Sequence, residues 1–170
     1  ESDYLWVIDP LDGTTNYAQS LPIFVISIAL KYKNETVLGV VYAPMLDQMF
    51  EAIKGKKAYL NGKEIKVGIK ENLKECVLGS GFPYDREINK DNNANYFAHF
   101  VPKVRGLRRM GSAAYDLANV AAGRLDGYWE LNLNLWDVAA GLLLLQEAGG
   151  KVIYLKEKRG ISLIAGNEII

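Results

Sequence analysis

Trp6-Val7-Ile8-Asp9-Pro10-Leu11-Asp12-Gly13-Thr14-Thr15-Asn16 begins as a strand and ends as a turn. Residues 5–8 form a short apolar run, and Pro10 withdraws a backbone donor from any ladder that would continue. Strand ends of this kind are where sheet proteins place their chemistry. Asp9 and Asp12 stand three positions apart, so both carboxylates can face one point across the turn, and the Leu11 carbonyl between them can face it too. Hard oxygens brought together in this way suit Mg²⁺ or Mn²⁺. Gly13 lets the backbone approach a ligand closely. If Thr14 and Thr15 open a short helix, their N–H groups point at an anion. Carboxylates for metal beside amides for phosphate describe a phosphate-ester hydrolase. The same spacing also reads as a plain turn, because Asp-Pro and Asp-Gly are common turn dipeptides and Asp12 can simply cap it. A covalent aspartyl nucleophile would call for two Asp separated by one residue before Gly-Thr. Two residues separate them here, which favours metal-activated water.

Around this turn the first part of the chain reads as strands. Residues 23–30 are β-branched and apolar, residues 37–43 close at Pro44, and residues 48–53 alternate around Met49, Phe50 and Ile53. Residues 57–67 hold Asn61-Gly62 between two short strands, the strongest hairpin signal in the chain. Beyond Gly68 strands and helices alternate. Residues 76–80 and 104–107 read as strands, 87–95 as a polar loop entering a helix near Tyr96, and Ser112 as the N-cap of a helix of small residues. A strand over 125–131, an apolar helix over 136–148 stopped by Gly149-Gly150, and strands over 152–155 and 162–165 complete the reading. The expected fold is an α+β or α/β layered sandwich, an antiparallel meander followed by a second, mixed sheet with helices. The expected division is residues 1–68, carrying the metal and phosphate loop, and residues 69–170, carrying the rest of the site.

The 170 residues carry 20 Lys+Arg and 20 Asp+Glu, so the formal net charge is zero, and a nucleic-acid binder working by bulk charge is excluded. Residues 1–68 hold 7 basic and 8 acidic side chains and the remainder 13 and 12, so charge does not separate the halves. The apolar run 138–145 is too short to cross a bilayer. One Cys, Cys76, gives neither a disulfide nor a paired-cysteine metal site; the expected compartment is the cytoplasm. Asp137 is a candidate third carboxylate at a rigid helix start. It also reads as a helix-start acid favoured by the dipole, with Asn134 as N-cap.

Residues 6–16 resemble the first signature of the inositol monophosphatase family. Trp136-Asp137-Val138-Ala139-Ala140-Gly141, followed by Glu147-Ala148-Gly149-Gly150, resembles its second. Gly111-Ser112-Ala113-Ala114 is similar to the segment before the second signature. The resemblance implies that Asp9, Asp12, the Leu11 carbonyl and Asp137 hold two or three Mg²⁺ ions. It implies that Gly13 and Thr14 bind phosphate through backbone N–H groups and that Asp12 also contacts substrate, with Asp9, Asp12, Thr14 and Asp137 the catalytic groups and Thr14 orienting the attacking water. It places Gly111, Ser112 and Ala113 along the alcohol pocket and gives Glu130 the substrate hydroxyls. Arg108 stands where it can approach substrate, but reads more readily as one of a solvated cluster with Lys103, Arg105 and Arg109. The implied activity is hydrolysis of a sugar-alcohol phosphate such as myo-inositol 1-phosphate, by a homodimer without nucleic-acid or membrane partners. Fructose-1,6-bisphosphatase or dual activity is the alternative within the family, and a non-catalytic phosphate- and metal-binding regulatory module the alternative outside it. The resemblance also implies a further metal-ligating Glu and a second acid from helices upstream. Eight residues precede Asp9, Glu1 stands too near to be that Glu, and the end at Ile170 looks early. The expected natural polypeptide therefore extends upstream, with an acidic pair there.

Overall fold

The computed structural model describes residues 2–155 and 159–168; Glu1 and Ile170, on which the expectation of a longer polypeptide turns, lie outside them. Six strands follow one another in sequence and in space as an antiparallel meander: β1 (Tyr4–Asp12), β2 (Val25–Tyr32), β3 (Glu35–Ala43), β4 (Gln48–Ile53), β5 (Ala58–Leu60) and β6 (Lys63–Ile65). The β5–β6 hairpin turns on Asn61 and Gly62, both at positive φ, as the Asn-Gly pair requires. Lys33 and Asn34 make a second turn of this kind between Tyr32 and Glu35. The strand at Asp9 does not stop there. β1 runs on to Asp12, and the pairing with β2 is interrupted only between Asp9 and Asp12, where Pro10 lacks the donor.

The second sheet is mixed, with spatial order β10-β11-β9-β7-β8. Its strands are β7 (Val77–Ser80), β8 (Gly106–Arg108), β9 (Gly127–Leu133), β10 (Lys151–Tyr154) and β11 (Ile161–Gly166). β7 runs parallel to both neighbours, while β9, β11 and β10 are antiparallel. Helices α1 (Thr14–Ala18), α2 (Ala94–Phe100), α3 (Ala113–Ala121) and α4 (Leu135–Glu147) complete the fold. The strands expected over 104–107 and 125–131 lie one to two residues further on, over 106–108 and 127–133. Val104 packs beneath Trp129 instead of pairing, and the Leu125 N–H turns back to the Asn119 carbonyl.

α3 and α4 fill the space between the sheets, so every residue of α3 and most of α4 are buried. Ala114, Tyr115 and Ala118 of α3 join Ala139, Ala140 and Leu144 of α4 against the inner face of the first sheet at Val25, Val41 and Phe50. The opposite stripe, Leu117, Val120, Val138 and Leu145, meets Tyr128, Leu163 and Ala165 of the second sheet. The outer face of that sheet is covered by α2, whose Phe97 and Phe100 lie on Leu78 and Trp129. The period-two alternation of β9 thus sends Tyr128 and Glu130 inward and Trp129 outward.

Two contacts hold α4 in place. The Glu147 carboxylate accepts the backbone N–H groups of Gly55 at 2.7 Å and Lys57 at 2.9 Å, in the connection between β4 and β5. Gly39 of β3 faces the helix backbone, and a Cβ there would stand 2.9 Å from the Ala140 carbonyl oxygen and 3.1 Å from its Cα. Neither atom can move without moving the helix. Gly39→Ala is therefore expected to lower stability by about 1–3 kcal/mol, the cost of overpacking, although Ala suits a strand interior better than Gly. The check is the midpoint of urea unfolding at constant slope; an unchanged midpoint would mean that α4 can lift off the sheet.

Candidate active site

β1 delivers Asp9 and Asp12 to one end of the sandwich, and the start of α4 delivers Asp137 to the same point. One oxygen from each carboxylate lies within 4.8 Å of the others. Each acid is also fixed locally. Asp9 Oδ1 accepts the Leu11 N–H at 3.0 Å. Asp12 Oδ2 accepts the Ser112 hydroxyl at 2.7 Å and the Ala114 N–H at 2.9 Å, tying the loop to the start of α3. Ser112 Oγ in turn accepts the Tyr115 N–H at 3.2 Å, the N-cap expected of it. Asp137 Oδ2 accepts the Asn134 N–H at 2.7 Å. The two readings of Asp137 therefore do not compete: it holds the helix start with one oxygen and has another for the cluster.

Gly13 has φ 94°, a left-handed conformation that Gly adopts freely, and a Cβ there would meet the Ile23 carbonyl oxygen at 3.0 Å. The chain turns from β1 directly into α1, whose first N–H groups lack intrahelical partners. Thr14 Oγ1 donates to the Leu11 carbonyl at 3.0 Å. Asn16 Nδ2 donates to the Ile23 carbonyl at 2.6 Å and the Met110 carbonyl at 2.7 Å, clipping this loop to the segment before Gly111.

Burial pushes the Asp12 carboxyl up to about 6, and the neighbouring Asp137 and Asp9 charges push the same way against the bonds from Ser112 and Ala114. Asp137 is raised by burial first and then by Asp9. No Lys or Arg among the described residues forms an ion pair with any of the three. Three converging hard oxygens that repel one another and lack a protein cation match the donor set a divalent ion prefers.

The cluster opens on a cavity of about 730 Å³. Residues 12–16 form one wall, residues 111–113 a second, and residues 130–133 with Asp137 a third. Asp12, Gly13, Thr14, Gly111, Ser112, Ala113, Glu130 and Asp137 thus share one space; Asp9 and Leu11 are not among its lining residues. Arg108 is placed elsewhere. It is exposed, and its guanidinium donates to the Leu107 carbonyl at 3.0 Å. Its neighbour Arg109 lines the cavity instead, as does Arg86. The fourth wall, Phe82-Pro83-Tyr84, escaped the sequence reading. It follows β7, the strand with parallel neighbours on both sides, and the carboxyl ends of such strands are where open sheets hold ligands. Tyr84 is 87% exposed at the rim. Beneath the cavity Asp116 is fully buried, its Oδ1 without a hydrogen-bond partner among the described residues, and burial raises its carboxyl well above the usual range.

A two-sheet sandwich around a helix pair thus carries, where a strand becomes a helix, a carboxylate cluster able to hold a metal ion. The sequence profile described as the Inositol monophosphatase family matches residues 1–170, and the chain belongs to that family. Its fold follows an inositol monophosphatase structure from Anabaena at 46% identity with a TM-score of 0.93, covering 99% of this chain and 69% of that one. It follows the Thermotoga maritima IMPase at 38% identity and a TM-score of 0.89, covering 99% and 66%. Among curated proteins, the Nus factor SuhB of Pseudomonas aeruginosa is 50% identical over 153 residues, 89% of this chain and 56% of the relative. An inositol-1-monophosphatase of Mesorhizobium japonicum is 41% identical over 177 residues, all of this chain and 65% of the relative. The chain thus spans between about half and two-thirds of the length of these curated relatives.

Proposed function

We propose that the polypeptide carrying this chain is a Mg²⁺-dependent phosphoric monoester hydrolase acting on a sugar-alcohol phosphate, with myo-inositol 1-phosphate as the substrate to try first. The observation that carries this reading is the convergence of Asp9, Asp12 and Asp137 within 4.8 Å at the edge of a cavity walled by the Gly13-Thr14 turn. Asp9, Asp12, Asp137 and the Leu11 carbonyl hold the metal, two or three ions in all. Bound there, Mg²⁺ supplies Lewis acidity that polarises the phosphoryl group, acidifies water and steadies the leaving alkoxide.

The remaining work falls to the chain. The N–H groups of Gly13 and Thr14 receive the phosphate at the helix start. The Thr14 hydroxyl spends its proton on Leu11, so its lone pairs are left to accept from the attacking water and orient it. Gly111, Ser112 and Ala113 give the alcohol a wall without bulk, and Glu130 accepts its hydroxyls. In-line displacement at phosphorus releases phosphate and alcohol with no phosphoenzyme. The working form in this reading is a cytoplasmic homodimer.

The test is Mg²⁺-dependent phosphate release from myo-inositol 1-phosphate and, in parallel, fructose 1,6-bisphosphate. Activity on the second alone moves the assignment to the bisphosphatase alternative, and activity on both makes it dual. A second reading, a non-catalytic regulator, draws on the 50% identity to a relative named as a Nus factor. Absence of turnover on both esters, with Mg²⁺ still bound, would favour it.

A further inference from the structure

Tyr128 is buried beneath the cavity, 1% exposed, and its hydroxyl donates to Oε2 of Glu130. The two residues are i and i+2 on β9, so they share one face of the strand. The backbone beneath them is pinned from the other face. Trp129 Nε1 donates to Asn93 Oδ1 at 2.6 Å, Asn93 Nδ2 donates to Ser80 Oγ at 2.8 Å and to the Gly81 carbonyl, and Ser80 Oγ donates to the Trp129 carbonyl at 2.9 Å. Asn93 and Ser80 are themselves buried, so this closed network fixes where β9 stands. What stays adjustable is the Glu130 side chain. On one side Gly81 leaves it room, since a Cβ there would overlap the carboxylate. On the other, Tyr128 holds one of its two oxygens.

We propose that Tyr128 is a positioning residue for polyol recognition: by holding Oε2 of Glu130 it turns the other carboxylate oxygen toward the cavity to accept a substrate hydroxyl. This rests on the phosphatase reading and adds to it a residue that touches no substrate. With Glu130 ionised the phenol is the donor and the carboxylate the acceptor, and a phenylalanine ring keeps the packing and loses only the tether.

The experiment compares wild type with Tyr128→Phe on two esters, myo-inositol 1-phosphate and phenyl phosphate, which offers no hydroxyl for Glu130. The expected result is a KM for the inositol ester raised about tenfold, the worth of one hydrogen bond to a charged group, with kcat and the phenyl phosphate rates within about twofold of wild type. In a Glu130→Gln background the added Tyr128→Phe change should have less effect than in wild type, since the carboxylate it tethers is gone. Equal losses on both esters, or the same loss with and without Glu130, would overturn the proposal in favour of a packing role. An unchanged KM for the inositol ester would overturn it as well. If wild type turns over neither ester, the phosphatase reading itself fails and this proposal with it.

Discussion

Asp137→Asn is expected to cut Mg²⁺-dependent phosphate release about a thousandfold while leaving the fold intact. An asparagine fills the same volume and keeps an oxygen to accept the Asn134 N–H, now bonded at 2.7 Å, so the start of α4 survives. What disappears is one of three negative charges. Metal stabilisation of the transition state amounts to several kcal/mol, and each 1.36 kcal/mol lost is tenfold in rate. Stability moves the other way. The variant no longer presses a like charge on Asp12, so the metal-free protein should melt no lower than wild type. Steady-state rates and thermal melts on the same preparations check both halves. A rate within tenfold of wild type would leave Asp137 as a helix cap only.

Metal-free protein is expected to lose about 3 kcal/mol of stability as pH rises from about 4 to about 7. Asp12 sits at about 6 in the folded chain against an ordinary 3.8, so its protonated form is favoured on folding. That contribution is fully present below about pH 4 and lost as pH climbs through about 6, two units at 1.36 kcal/mol each. Glu130, raised to about 7 chiefly by burial against a lowering bond from Tyr128, extends the loss in the same direction. Mg²⁺ prefers ionised carboxylates, so the stabilisation it adds should grow over the same interval, reaching about 2.7 kcal/mol at a hundredfold excess over its Kd. Melts in EDTA and in Mg²⁺ from pH 4.5 to 8 should therefore diverge as pH rises. Curves that stay parallel would sink the metal site, and an EDTA curve that stays flat would sink the buried-charge argument.

Local chemistry made parts of this molecule legible in advance. Asn61-Gly62 announced its hairpin because both turn positions need positive φ. Lys33-Asn34 makes the same kind of turn without announcing it, since Lys has no preference for that conformation and the flanking strands impose it. The predominance of small residues in α3 foretold a helix packed closely against other elements, and every one of its residues is buried. The carboxylate loop was readable because Asp9 and Asp12 are close in sequence. Asp137 became persuasive only in their company, 125 positions after Asp12. The cavity's fourth wall depends on β7 having parallel neighbours, a pairing written nowhere in the local sequence. Arg108 and Arg109 show the limit of such reading: adjacent and chemically identical, yet only Arg109 lines the cavity, while the Arg108 guanidinium turns to the Leu107 carbonyl.

The two grips on α4 make it a lever. With 13 residues it is about 20 Å long, held at Glu147 by the connection between β4 and β5 and bearing Asp137 near its other end. A tilt of about 3° about the Glu147 end would carry the Asp137 carboxylate roughly 1 Å, a misplacement that can cost about a hundredfold in rate. On the proposed reading, the connection holding Gly55 and Lys57 is thus mechanically part of the site while lying at the far end of the helix that serves it.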